Sequence, residues 1–207
     1  MNDNEKHQRE MNIAAHLTWS ATFLASAYSA DNQDNLLSAA FSYYYSTFHA
    51  GFALINIDHT FNMAHMERIH HNKIESYLED KLPEEMSIKA KNLRVTRELL
   101  SYLGIGDPAA KLQLVRGHGI RTNLGTKNIR ELVDIAKNDA TSVFNHIFIK
   151  IENFCKSNRW QPLGMGRDYF LEEYLGEDLL LNVIPREGNG RSILIELSNI
   201  LKNIPIE

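Results

Sequence analysis

Residues 38–58 read SAAFSYYYSTFHAGFALINID. The segment holds no proline, and Gly51 is its one glycine. Leu37, Phe41, Tyr44, Tyr45, Phe48, Phe52 and Ile55 recur mostly three or four positions apart, the stripe of a helix that faces a core. Apolar character continues most of the way round, which predicts a central helix over about 36–57. Small residues at Ala39, Ala40, Ser42, Ala50, Gly51 and Ala53 let neighbouring helices approach closely.

Outward from this segment the pattern stays helical. Upstream, Ile13, Leu17, Leu24 and Tyr28 predict a helix over 11–30, preceded by ten frayed residues. Asp31, Asn32, Asp34 and Asn35 form a polar turn rich in capping candidates. Downstream, a loop over 58–65 leads to a third helix, 66–82, stopped by Pro83. A fourth helix follows over 87–103 and ends at Gly104, Gly106 and Pro108. A long helix over 128–157 carries Ile129, Leu132, Val133, Ala136, Val143, Phe144, Ile147, Phe148 and Ile151, with Thr126 as its expected N-cap. The tail changes texture from Arg159 onward. Asn189-Gly190 between apolar stretches fits a hairpin turn, and a helix over 192–201 is the alternative. The fold class expected is therefore mainly α: an up-and-down bundle of four to five helices with a small C-terminal α+β or helical appendage. The expected division is a flexible N-terminus at 1–10, the bundle at 11–157 and the appendage at 158–207.

Composition narrows the functional classes. The chain has 207 residues, 43% of them hydrophobic and 23% charged, enough for a sizeable core. Its net charge of −4 supplies no overall basic field, so contact with nucleic acid would depend on a local patch. A single cysteine, Cys155, excludes an intramolecular disulfide and reads as a buried structural thiol. The polar start MNDNEKHQRE lacks the pattern of a signal peptide, and no apolar run has the roughly 18–20 residues of a membrane span. The expectation is a cytoplasmic protein without membrane contact.

Tyr44, Tyr45, Phe48, His49, Ala50, Ala53 and Leu54 also fall in the order and spacing Tyr-Tyr-x-x-Phe-His-Ala-x-x-Ala-Leu. This resembles the signature helix of the HEPN (higher eukaryotes and prokaryotes nucleotide-binding) family. His70-His71-Asn72-Lys73-Ile74 stands where family members carry a histidine-led helix, and the helix order agrees over 11–154. The resemblance implies a bundle that works as a homodimer, needs no cofactor, and acts on RNA. Active members are metal-independent endoribonucleases of toxin–antitoxin or antiviral defence systems. They use an arginine, four to six intervening residues and then a histidine, near the start of the late helix. The arginine clamps the scissile phosphate, and the histidine moves a proton at the ribose 2′-OH or the leaving oxygen.

That spacing is not kept at the expected place. Arg116 is followed by Gly117 and His118, and Arg121 by Thr122 and Asn123. The literal spacing occurs from Arg9 to His16, which eleven arginines and nine histidines would yield about once by chance. The chain thus resembles a divergent or degenerate member, and two classes stay open. The first is an RNA-cleaving protein in which Arg116, His118 and Arg121 are catalytic while Asn123, His70, His71 and Lys73 bind substrate. Glycines in 116–123 would let the backbone approach a phosphate ahead of a helix N-terminus. The second is a non-catalytic interaction module that binds a partner protein, an antitoxin or a nucleotide. His49, set among aromatics, reads as a core or dimer-face histidine. His59, His65, His70 and His71 form only a loose cluster, and the one Glu-x-x-His, Glu67 to His70, has no second copy, so no metal site is expected.

Overall fold

The computed structural model of the protein describes residues 1–62, 71–102 and 127–160. Five helices pack together, with no strand among the described residues: α1 (Asp3–Asn32), α2 (Leu36–Asn56), α3 (His71–Lys81), α4 (Glu84–Tyr102) and α5 (Ile129–Asn158). The mainly-α bundle expected from periodicity is what forms. No described helix is long and apolar enough to cross a membrane.

The central place of α2 is confirmed, for it touches all four other helices. Which of its residues face inward differs from the expected stripe. Ala39, Ala40, Tyr43, Tyr44, Ala50, Gly51, Ala53, Leu54 and Ile55 are buried, whereas Phe41, Tyr45, Phe48 and Phe52 are only half-buried and Leu37 is exposed. The cause is steric. A helix hemmed in by four others must turn its small residues to the crowded sides, and most of the large rings are displaced to the margins. Gly51 is the tightest point. A Cβ there would stand 2.8 Å from Ile74 Cγ2 and 3.0 Å from Leu78 Cδ1, so α3 lies directly on the α2 backbone.

Periodicity alone starts the first helix at Met11, but α1 begins at Asp3. The Asn2 side chain accepts from Glu5 N at 2.8 Å, and Asp3 and Glu5 favour the positive end of the helix dipole. The first ten residues are thus an integral turn of the bundle. Arg9 among them is only 1% exposed. Its guanidinium donates to the carbonyls of Asn56 (3.3 Å), Asp58 (3.1 Å) and Phe61 (2.5 Å) and to Glu5 Oε1 (3.1 Å). It therefore serves the last carbonyl of α2, which has no helical donor, and carbonyls of the turn that follows.

The α1–α2 turn passes through Asp34 at φ 56°, a left-handed position that aspartate tolerates better than most residues. Asn35 caps α2 by accepting from Ser38 N at 3.4 Å. Buried Asp31 ties the turn to α5 by accepting from Arg130 and, at 3.0 Å, from Lys137. At α5 the expected N-cap, Thr126, lies outside the described residues and is not the cap. Asn128 is, in a reciprocal capping box: Glu131 N donates to Asn128 Oδ1 and Asn128 N to Glu131 Oε2, both at 2.9 Å. Pro83 separates α3 from α4 as predicted, and α4 starts at Glu84 rather than 87.

Candidate functional site

The richest grouping of chemistry among the described residues lies where α3 and α4 meet the middle of α2. A small pocket of about 40 Å³ opens there, lined by Tyr44, Thr47 and Phe48 of α2, Ile74, Glu75, Leu78 and Glu79 of α3, and Ala90, Lys91 and Arg94 of α4. Helical spacing explains the lining. Residues 44 and 48 of α2, and 71, 75 and 78 of α3, sit one turn apart on facing stripes. The hydroxyl of Thr47, buried at the wall, has no hydrogen-bond partner among the described residues.

Tyr44 organises the polar part. Its hydroxyl is 3.0 Å from His71 Nδ1 and 3.0 Å from Glu75 Oε1. One hydroxyl carries one proton. Given to the carboxylate, it leaves the Tyr44 oxygen to accept from Nδ1–H of His71, which fixes the tautomer and makes Nε2 the basic nitrogen. Glu75 accepts from Arg94 through its other oxygen, and Arg94 Nε donates to Glu98 Oε1 at 2.8 Å. The Arg97 guanidinium covers the Tyr44 ring at 4.1 Å from its centroid, and the Phe48 ring stacks on His71 at 4.2 Å.

Burial sets the electrostatics. It raises the Glu75 carboxyl above the ordinary range, against the pull of Arg94 and of the Tyr44 hydrogen bond. The same burial, with Glu75 alongside, holds the Tyr44 phenol well above its usual value, so the tyrosine stays protonated. The arrangement can present a base at His71 Nε2, a proton-carrying relay behind it, and guanidinium groups beside two stacked rings.

A second group of rings lies on the outer face of α1 and α2. His16 Nδ1 and His49 Nδ1 are 2.9 Å apart, and His16 stacks on Phe52 at 4.1 Å. Burial lowers both histidines from 6.5 to about 4, helped by His49 at His16 and by His71 at His49, so both are neutral at pH 7. His49 is thus half-buried at a margin, in contact with solvent rather than in the core.

Of the residues expected to act, His71 lies at the rim of the pocket, beside Tyr44. Lys73 leaves from another side of α3, with Nζ 5.4 Å from the Phe61 ring centroid. Arg116, His118, Arg121, Asn123 and His70 lie outside the described residues. The Arg9-to-His16 spacing gives no site, because the Arg9 guanidinium is occupied with backbone carbonyls. His59 packs against Phe154 and Trp160 while His71 sits on Phe48, so these two do not share a ligand set. No group of three or more His, Cys, Asp or Glu placed to hold a metal occurs among the described residues. Cys155 is buried, and burial pushes its thiol up to about 12, which suits packing better than nucleophilic chemistry.

Glu75, Arg94 and Arg97 were not legible as site residues. The sole sequence signals are the four-residue spacings His71–Glu75 and Arg94–Glu98, which also describe ordinary solvated helix faces. Comparison with protein-family models, curated proteins and solved structures gives no match to this chain.

Proposed function

We propose that the chain acts on RNA, with an unpaired nucleotide laid on the surface of α2, α3 and α4 around the rim of the pocket, which at about 40 Å³ does not enclose a base. The observation that carries this is the juxtaposition of His71, oriented by Tyr44, with the Phe48 ring stacked on it at 4.2 Å and the Arg97 guanidinium over Tyr44. Proteins that recognise single-stranded RNA splay a base onto such rings and steer the phosphate with arginine. The HEPN resemblance of residues 44–54 points the same way.

In this proposal the enzyme is a metal-independent endoribonuclease of a toxin–antitoxin or antiviral defence system. His71 Nε2 accepts the proton of a ribose 2′-OH. The 2′ oxygen then bonds to the adjacent phosphorus as the P–O5′ bond breaks, and the leaving oxygen takes a proton from a second group. Arginine charge stabilises the phosphorane. The stretch 116–123 belongs to the same proposal: Arg116 and Arg121 hold phosphate, His118 is the second proton carrier, and Asn123 with His70 contacts substrate, while Lys73, on another side of α3, lies away from the pocket. A homodimer and a cytoplasmic setting complete it.

One observation favours a second reading, a non-catalytic interaction module. Arg94 is paired with both Glu75 and Glu98, and Lys91 with Glu79 at 3.3 Å, so the pocket holds little surplus positive charge. Incubating the purified chain with single-stranded RNA in EDTA separates the two. Cleavage that survives chelation and falls on His71→Ala substitution supports the enzyme. Intact RNA supports the module.

A further inference from the structure

An open groove of about 510 Å³ lies between the turn that joins α3 to α4 and the outer side of α5. Lys81, Leu82 and Pro83 form one wall. The other is a stripe of α5, His146, Ile149, Lys150 and Asn153, set three and four positions apart. Ile149 is 54% exposed, and no acidic residue lines the groove. Lys81 is shared with Asp80 at 3.1 Å and Asp58 at 3.9 Å. Lys150 donates to the Lys81 carbonyl at 3.1 Å and has no carboxylate partner among the described residues.

The last described residue stands beside this groove. Arg159 takes the left-handed φ of 52° that closes α5, and Trp160 N donates to the Cys155 carbonyl at 2.9 Å, so the chain folds back over the end of the helix. Trp160 packs against Phe154 and His59, with ring centroids 5.1 and 5.6 Å away. Phe154 comes one turn after Lys150, and His59 adjoins Asp58, the partner of Lys81. Both walls of the groove therefore lead to Trp160.

We propose that the groove seats residues 168–181 of the same chain, DYFLEEYLGEDLLL, which lie outside the described residues. Charge, spacing and reach favour this occupant. The segment holds five carboxylates, Asp168, Glu172, Glu173, Glu177 and Asp178, and no Lys or Arg, which complements the unpaired Lys150. Phe170, Leu171, Tyr174 and Leu175 recur three and four positions apart and suit the apolar Ile149 and Pro83. The later apolar stretch, 192–201, has one acid, Glu196, and stands between Arg191 and Lys202, so it offers Lys150 much less. Residues 161–167 span up to ~23 Å when extended. The near edge of the groove, Asn153, is only ~10 Å back along α5 from Trp160. A free peptide would gain little from one exposed ion pair and a few apolar contacts in an open groove. A tethered segment is presented at an effective concentration of about millimolar, so the same contacts hold it. The docking is independent of RNA, so failure of one proposal leaves the other standing.

The test is carbodiimide coupling of the full chain at micromolar concentration, followed by peptide mapping. The reagent condenses an ammonium with a carboxylate in contact, forming an amide with loss of one water. Docking predicts a link from Lys150 to a carboxylate of 168–181 at monomer mass, in a yield that does not change with protein concentration. Ile149→Ser, at an exposed position, lowers that yield about 5-fold. Lys150→Glu combined with Glu172→Lys and Glu173→Lys restores a link of reversed polarity between position 150 and position 172 or 173. Helical circular dichroism shows that each variant is folded. Coupling of Lys150 to no carboxylate of 168–181 overturns the proposal, and so does coupling found only between two chains. A link indifferent to Ile149→Ser overturns it as well, as does equal coupling of 168–181 to Lys127, at the opposite end of α5.

Discussion

The hydroxyl of Tyr44 stands 3.0 Å from Nδ1 of His71, a residue 27 positions later and on another helix. The contact turns an exposed histidine at a helix start into a ring of defined orientation and tautomer. Because the same hydroxyl reaches Glu75 at 3.0 Å, three groups share one proton path. Tyr44 is 3% exposed, so this path is held by the core rather than by solvent.

Replacing Tyr44 by Phe keeps the packed ring and removes the relay. The expected cost is about 1 kcal/mol of stability, because Glu75 retains Arg94. The Glu75 carboxyl, already raised by burial, rises further once a hydrogen bond that favours its charged form is lost. Urea denaturation measures the first effect and carboxyl NMR titration the second. A Glu75 titration unmoved in Tyr44→Phe would show that the hydroxyl does not serve it.

Gly51→Ala is expected to destabilise despite alanine's better helix propensity. The new methyl meets fully buried Ile74 at 2.8 Å and Leu78 at 3.0 Å, so α3 has to move off α2. Overpacking of this kind costs ~1–3 kcal/mol, against roughly 1 kcal/mol gained in propensity. Ile74 and Leu78 also line the pocket, so the site should be disturbed along with the fold. A thermal midpoint equal to or above wild type would contradict the close approach.

Arg9 separates a structural role from a catalytic one. Arg9→Met keeps the aliphatic stem and takes the guanidinium donor from the carbonyls of Asn56, Asp58 and Phe61, of which Asp58 retains Phe61 N at 3.1 Å. A loss of ~2–4 kcal/mol is expected on denaturation, with Arg9→Lys recovering only part because an ammonium cannot reproduce the fork. If Arg9→Met keeps its stability and loses RNA cleavage instead, the Arg9-to-His16 spacing would have to be reconsidered as chemistry.

The histidine pair makes stability depend on acidity. Folded His16 and His49 titrate near 4, against 6.5 in the unfolded chain. Between those values the unfolded state binds more protons, so stability rises with pH across the window. The contribution is complete above 6.5 and is lost as pH falls through 4. Urea midpoints measured from pH 7 down to 4 should fall for the wild type and fall less for His16→Phe. Equal slopes would mean that burial does not hold His16 low in the folded chain.

Much of the fold was legible because burial leaves a period in the sequence. The apolar, charge-free run at 36–57 announced a central helix, and Pro83 announced the break after α3. What failed did so for local reasons. The start of α1 was missed because Asn2, Asp3 and Glu5 stabilise it by capping, which hydrophobic periodicity does not register. Tyr45, Phe48 and Phe52 were assigned inward because size suggests burial, whereas crowding by four neighbours sent alanine and glycine there instead. The site was harder still. His71 could be picked out by its neighbour His70 and its place after α2, but Glu75 and Arg94 acquire meaning only when α4 folds back and brings them together across 19 residues.

The central claim, that an oriented His71 serves RNA chemistry, is tested most directly by end-group analysis of single-stranded RNA incubated with the chain in EDTA. The account predicts cleavage by the wild type, fragments ending in 2′,3′-cyclic phosphate and 5′-hydroxyl, and a rate at least ~100-fold lower for His71→Ala in a protein of unchanged helical content. Intact RNA with the wild type, or cleavage at an equal rate by His71→Ala, would contradict it.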